Sequence, residues 1–174
     1  MKSIFVISFL SITLFSLYTF GQENDIKYEA KFGYGFYQGF NIGINYFYCK
    51  NLDAGIGVGT HFNLPPLESP NHFNISIENN LHFGSISKQG IKACIFNQQL
   101  MYWEQGPSSD RWRILSLGLN IGRIFALKEK LGLSLEIGPA FNLVVDVKRD
   151  PHTPDSGWIW PVLYNGRAQV IYLF

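Results

Sequence analysis

The chain has 174 residues, of which 14 are basic and 13 acidic, so its formal net charge is only +1. This balance argues against a nucleic-acid partner, which selects a basic surface, and the length suits a single domain. Aromatic residues make up 16% of the chain and glycine contributes 17 residues, whereas charged residues make up only 16%. Such a composition is unusual for a soluble domain of this size.

An apolar segment follows Lys2 and runs from Ile4 to Phe20, and polar residues occupy positions 22–25. This order is typical of a secretory signal, and the small residues Thr19 and Gly21 predict cleavage after Gly21. We therefore expect residues 1–21 to be a signal peptide and residues 22–174 to be the mature domain. A retained anchor is the alternative, although the segment is short for a spanning helix. Since no later segment approaches about 20 apolar residues, a mature chain in a membrane must cross it as strands.

Apolar and polar residues alternate with a period of two from Tyr28 to the end of the chain, which indicates strands. The segment from Leu131 to Val147 is longer than the usual strand of about 5 or 6 residues in a soluble protein. Several faces opposite the apolar ones consist of glycine and polar residues, which suits a narrow polar lumen. The pattern predicts about eight strands, at residues 27–37, 40–49, 54–63, 72–84, 90–103, 111–127, 131–148 and 162–174.

The connections between these predicted strands alternate in length, except for the tight first connection around Gln38-Gly39. Those at 50–53, 85–89 and 128–130 are short and polar, whereas those at 64–71, 104–110 and 149–161 are longer and hold most of the prolines. Such alternation is typical of outer-membrane barrels, with short periplasmic turns and longer external loops. The sequence therefore predicts an all-β fold, an antiparallel up-and-down transmembrane β-barrel with both ends on the periplasmic side.

Two places in the predicted strands indicate irregular pairing. The amides Asn79-Asn80 and Asn97-Gln98-Gln99 interrupt the apolar face of the fourth and fifth strands, which predicts a bulge or a register shift there. Pro139 lacks the N–H that a ladder needs and predicts a second bulge.

The C-terminal segment from Gln169 to Phe174 resembles the terminal strand signal that the outer-membrane assembly machinery recognises. Val170, Tyr172 and Phe174 match that signal, whereas Gln169 stands where many such signals have glycine. With the signal peptide and the strand count, the mature chain resembles the small eight-stranded barrels of the OmpA-transmembrane and OmpX type. The resemblance implies a Gram-negative cell, secretion through the inner membrane, and outer-membrane lipid and the assembly machinery as partners. It concerns architecture and implies no particular activity.

Aromatic residues near both ends of the predicted strands suit the two interfaces of a membrane. The alternative is the aromatic core of a soluble, lipocalin-like barrel. Trp158 and Trp160 lie in the longest loop, where they could contact sugar, lipid head groups or a partner protein, or could simply anchor the rim.

Charged residues on the predicted inner face form a second candidate site. An isolated charge in a lumen with little water is costly, so we expect these side chains to pair. The pairs would plug the lumen, or an ion or proton path would run along them. The candidates are Glu29, Lys31, Glu78, Glu136, Asp146 and Arg167.

No catalytic constellation is recognised, and no cofactor or metal is predicted. His61, His72 and His152 fall near the loops with several serines, yet none has a recognisable spacing for a Ser–His pair. Cys49 and Cys94 are interpreted as small apolar residues on non-adjacent strands.

The sequence favours a non-enzymatic outer-membrane protein that acts through external loops in adhesion, lipid contact or envelope integrity. A small porin-like pore or uptake protein and a lipid-modifying enzyme are the alternatives, and the external ligand is not identified.

Overall fold

The computed structural model describes residues 27–36, 38–61, 72–87, 90–105, 111–148 and 162–174. The predicted signal peptide at 1–21 and the loop carrying Trp158 and Trp160 lie outside these residues, so both remain predictions. Within the described ranges, no helix is long and apolar enough to cross a membrane.

Eight antiparallel strands form a closed barrel in which each strand pairs with the next and the last pairs with the first. This confirms the predicted fold class and strand number. The strands are β1 (Tyr28–Gly35), β2 (Gly39–Cys49), β3 (Leu52–His61), β4 (His72–Ser87), β5 (Gly90–Gln105), β6 (Arg111–Ala126), β7 (Leu131–Lys148) and β8 (Val162–Leu173). The start of β1, the end of β8 and the strand ends that flank residues 50–51, 88–89 and 127–130 lie at one end of the barrel, the turn end. The strand ends that flank the longer connections lie at the opposite end, the loop end.

The alternation in sequence sorts side chains onto two faces because successive residues of a strand point in opposite directions. Ile42, Ile56 and Ile137 lie on the outer face, each about three fifths exposed. The inner face holds buried amides, carboxylates and two buried cations. The distribution is the reverse of a soluble protein, with apolar residues outside and polar residues inside.

Pairing between β4 and β5 is continuous from His72↔Gln105 to Ser87↔Gly90. The prediction of a bulge at the amides of these strands was therefore wrong. Asn80, Asn97 and Gln99 fit the regular alternation because they point into a polar lumen, where an amide is an ordinary residue.

The seventh strand is also more regular at Pro139 than predicted. Pairing of β7 with β6 is interrupted opposite Pro139, but the register is the same on both sides of the gap. The register shifts nearer the loop end instead, where Leu115 pairs with Val144 and Ser116 with Asn142, so that Leu143 is the extra residue. Beyond Leu143 the two faces of β7 are exchanged.

The cysteines lie on β2 and β5 as free thiols, with Cys49 buried and Cys94 exposed. They occupy non-adjacent strands, as the sequence predicted, and no disulfide joins them.

Glycines allow the close approach of neighbouring strands, and Gly138 is the sharpest case. A Cβ atom built on Gly138 would lie 1.9 Å from the carbonyl oxygen of Leu119, so the backbone would have to move.

We expect Gly138→Ala to lower the free energy of unfolding by about 3 kcal/mol, the upper part of the range for overpacking. Urea unfolding of the barrel in detergent measures this change. Gly118→Ala is the matched control, expected to cost about 1 kcal/mol or less, because the nearest atom to its Cβ would be the Asn165 side-chain amide, at 3.3 Å, and no backbone atom would have to move. Equal effects of the two substitutions would contradict the packing argument.

Candidate functional site: the charged lumen

Glycine opposite each long charged side chain gives the lumen room for a charge network. Lys31 pairs across the strands with Gly43, Glu78 with Gly55, and Glu136 with Gly122. Arg167 likewise faces Gly35 on β1. Alternation brings these long side chains inward from four strands, and the glycines leave the volume that they occupy.

The ion pairs form one connected chain across the lumen. Lys31 Nζ lies 2.8 Å from Glu78 Oε1 and 3.2 Å from Glu29 Oε1. Arg167 Nη1 lies 2.7 Å from Glu78 Oε2, and its Nη2 lies 2.7 Å from Glu136 Oε2. All five residues are at least 95% buried. Glu78 therefore bridges the two cations, and we call these five residues the ion-pair chain.

Further polar groups hold two carboxylates of the ion-pair chain, Glu136 at one end and Glu78 at its centre. Ser134 Oγ donates a hydrogen bond of 2.9 Å to Glu136 Oε1, and Asn97 Nδ2 donates one of 3.1 Å to Glu78 Oε2. Hydrogen bonds to ionised groups are stronger than those between neutral groups. The carboxylates are thus held by hydroxyl and amide donors as well as by the cations.

Asp146 does not join this chain. It lies exposed near the loop end of β7, opposite Arg113 of β6. The sequence interpretation placed Asp146 inside because it counted residues through β7 without an extra one. The shift at Leu143 turns it to the outer face, where Arg113 also lies 3.6 Å from Glu104.

A second cluster, centred on Asp53, was missed in the sequence. Oδ1 of Asp53 accepts hydrogen bonds from Asn45 and from Asn80, and Oδ2 contacts the His82 ring. Asp53, Asn80 and His82 are fully buried, and the ring of Phe47 lies 5.4 Å from that of His82. Asp53 was assigned to a four-residue turn, whereas β3 begins at Leu52 and turns Asp53 inward.

Asparagines extend the Asp53 cluster around the barrel wall from β4 to β6. Asn97 Nδ2 donates to Asn80 Oδ1 at 2.6 Å, and Asn120 Nδ2 donates to Asn97 Oδ1 at 3.0 Å. Each of these residues sits at an inward position of its strand. The alternation in the sequence already placed these asparagines on the inner face, and it could have identified this row of linked amides.

The lumen is closed on both sides of the ion-pair chain. An apolar layer closes the turn end, and it consists of Phe47, Ala93, Ile124, Ile171 and Leu173. Towards the loop end, a cavity of about 10 Å³ lies among polar side chains including Gln38, Gln99 and Gln169. That volume holds about one water molecule. The small volume of this cavity and the burial of the five charged residues indicate that side chains fill the described lumen at the level of the ion-pair chain.

The C-terminal residues of the predicted assembly signal close the barrel. Val170, Tyr172 and Phe174 face outward, and the backbones of Phe174 and Tyr28 exchange hydrogen bonds of 3.0 Å. The Phe174 ring lies 5.6 Å from that of Tyr28 and 6.2 Å from that of Tyr172. Their recognition by assembly machinery remains a prediction.

The histidines and acidic residues offer little for catalysis. His61 and His72 are partners across β3 and β4 at the loop end, and His152 lies outside the described residues. His82 has an acidic partner but is fully buried, so substrate cannot reach it. Among the described residues, no group of three or more His, Cys, Asp or Glu is placed to hold a metal ion.

These features define a closed eight-stranded barrel of the outer-membrane type, with a polar, charge-paired interior. Among solved structures, the chain is similar to the crystal structure of the N-terminal β-barrel domain of Pseudomonas aeruginosa OprF. The TM-score is 0.61 at 13% sequence identity, and the match covers 88% of this chain and all of that domain. At that identity the likeness establishes the fold alone. No family model matches the chain, and the search of curated proteins finds no match.

Proposed function

We propose that this protein is an integral outer-membrane barrel with a plugged lumen, and that it acts through its loops at the cell surface rather than by catalysis. The observation that carries the proposal is the reversed distribution of side chains. Apolar residues cover the outer face, whereas the ion-pair chain is sealed within. Only an apolar solvent stabilises such a surface, since water would favour the opposite arrangement.

Strand length supports the same placement. Strands β4, β5 and β6 have 16 residues each and β7 has 18. About 9 to 11 residues cross the hydrocarbon of a bilayer, so these strands would span it and extend beyond both interfaces. The closed barrel leaves no unpaired strand edge in lipid.

The arrangement of the connections supports action at the cell surface. Both barrel termini lie at the turn end, which we assign to the periplasm because external loops are the longer ones in such barrels. The segments at 62–71, 106–110 and 149–161 would then face outward. Trp158 and Trp160 in the last segment are our candidates for contact with sugar, lipid head groups or a partner protein.

A surface-labelling experiment tests this orientation. An epitope inserted after Asp155, in the segment 149–161, should be detected by antibody on intact Gram-negative cells that express the full chain. The same epitope inserted between Lys128 and Glu129, at the turn end, is the control and should be detected only after the cells are permeabilised. Detection of the turn-end epitope on intact cells would overturn the assigned orientation.

A small pore is the second candidate, favoured by the polar character of the lumen. The ion-pair chain and the apolar layer stand against it, because both would have to move before an ion could pass. We therefore expect no unitary conductance when the purified wild-type barrel is inserted in planar bilayers. Steady single-channel openings in wild-type protein would favour the pore and contradict a permanently plugged lumen.

A further inference from the structure

Exposed charges at the turn end are predominantly basic. The side chains of Lys27, Lys50, Arg123, Lys128 and Lys130 are exposed there, and we call them the basic rim. In the described part of the chain, Glu129 is the exposed acidic residue at this end. The carboxylates of Glu29 and Asp53, near the same end, are buried in the lumen, so the described surface of this end is positive.

The basic rim lies next to a belt of outward aromatic rings. Tyr28, Tyr46, Tyr172 and Phe174 are each between two fifths and one half exposed. The guanidinium carbon of Arg123 lies 5.6 Å from the centre of the Phe125 ring, close to the same end. Aromatic belts and basic side chains at strand ends occupy the level where hydrocarbon gives way to phosphate-bearing head groups.

A groove at the basic rim supplies a specific place for a head group. It has a volume of about 610 Å³ and is lined by Lys128, Glu129, Lys130, Leu131 and Tyr172. The two lysines bring ammonium groups suited to a phosphate, and Tyr172 brings a ring and a hydroxyl. Leu131 begins the apolar outer face of β7, along which acyl chains can continue.

We propose that the turn end binds the head group of an anionic phospholipid, with its phosphate at Lys128 and Lys130 and its acyl chains along β7 and β8. The inference rests on the proposed membrane placement and names a lipid partner for it. A lipid fits better than a soluble anion because the basic groove opens directly onto an apolar wall. Anionic lipid is favoured over zwitterionic lipid because Lys128 and Lys130 exceed the single acid Glu129.

Competitive lipid binding tests the proposal. The refolded mature barrel is released from detergent micelles containing equimolar phosphatidylglycerol and phosphatidylcholine, and its retained lipids are counted by native mass spectrometry. We expect phosphatidylglycerol to predominate on the wild type. Lys128→Gln/Lys130→Gln should reduce its apparent affinity about tenfold at low ionic strength. Glu129→Gln, in the same turn, should strengthen the preference, and Lys148→Gln at the loop end is the control and should leave it unchanged.

Three results would overturn the proposal. The first is equal retention of the two lipids by the wild type, and the second is an unchanged preference in Lys128→Gln/Lys130→Gln. The third is displacement of phosphatidylglycerol by an equal concentration of inorganic phosphate, which would indicate a free-anion site. The electrophoretic mobility of every sample is also compared before and after boiling. A wild type that shifts on boiling but shows no lipid preference refutes this inference alone, whereas a wild type with no shift refutes the barrel proposal itself.

Discussion

Replacing Glu78 with glutamine is expected to lower the free energy of unfolding by about 3 to 5 kcal/mol, the range for breaking a buried ion pair on one side. Glu78 contacts both cations of the ion-pair chain, at 2.8 Å from Lys31 and 2.7 Å from Arg167. Glutamine keeps the size of the side chain and an oxygen for Asn97. The change therefore isolates the charge and removes the one carboxylate that contacts both Lys31 and Arg167, so each buried cation loses an anionic partner.

Urea unfolding of the barrel in lipid vesicles, followed by tryptophan fluorescence, measures this loss. Glu129→Gln makes the same chemical change at an exposed turn and should alter the free energy of unfolding by less than about 0.5 kcal/mol. The double variant Lys31→Met/Glu78→Gln should lose less than the sum of the two single variants, because it removes a cation and an anion together. A loss below about 1 kcal/mol in Glu78→Gln would contradict the central role of this residue.

The Asp53 cluster gives the second large expected effect. Asp53→Ala removes the acceptor of Asn45 and Asn80 and the acidic partner of His82, all within the fully buried turn end of the lumen. Each buried polar group left without a partner costs about 1 to 3 kcal/mol. We expect a total loss of about 4 kcal/mol, with about half that loss in Asp53→Asn, which retains one acceptor oxygen.

The folded fraction after refolding into vesicles checks this prediction, since folded and unfolded barrels separate on a gel that is run without boiling. Asp146→Ala is the matched control, because it removes the same carboxylate from an exposed position on β7. We expect Asp53→Ala to lower the folded fraction at intermediate urea concentrations and Asp146→Ala to leave it unchanged. Equal behaviour of the two variants would mean that the Asp53 cluster contributes little to folding.

Much of the barrel could be predicted because one face of each strand is apolar and the other polar. The period of two fixes which side chains share a face, and the alternating lengths of the connections fix which strand ends lie together. Strands β7 and β8 begin at Leu131 and Val162, at the predicted positions. The even strand number and the pairing of β1 with β8 followed from the same pattern.

The details of the lumen were less predictable, since one residue changes the direction of all that follow. The extra residue Leu143 turns Asp146 outward, and nothing in the local alternation of valines identifies that position. The tight turn at 50–51 makes Asp53 part of β3 and turns it inward, whereas a polar four-residue segment is typical of a loop. Both differences arise from strand pairing, which depends on partners distant in sequence.

The contact between Arg167 and Glu78 illustrates the same limit. The two residues are 89 positions apart, on β8 and β4, and meet only because the barrel is closed and narrow. Alternation indicates that both point inward, but which cation meets which carboxylate depends on the register of every strand between them. The pairing of Lys31 with Glu78 across the lumen has the same origin.

The placement of the chain in a membrane as a closed barrel is tested most directly by gel mobility. The mature protein is recovered from the outer-membrane fraction of Gram-negative cells and run in detergent with and without boiling. A closed barrel with apolar residues outside predicts recovery in that fraction and a mobility shift that appears only after boiling. Recovery in the soluble periplasmic fraction with no shift would contradict the membrane placement and favour a soluble, lipocalin-like barrel.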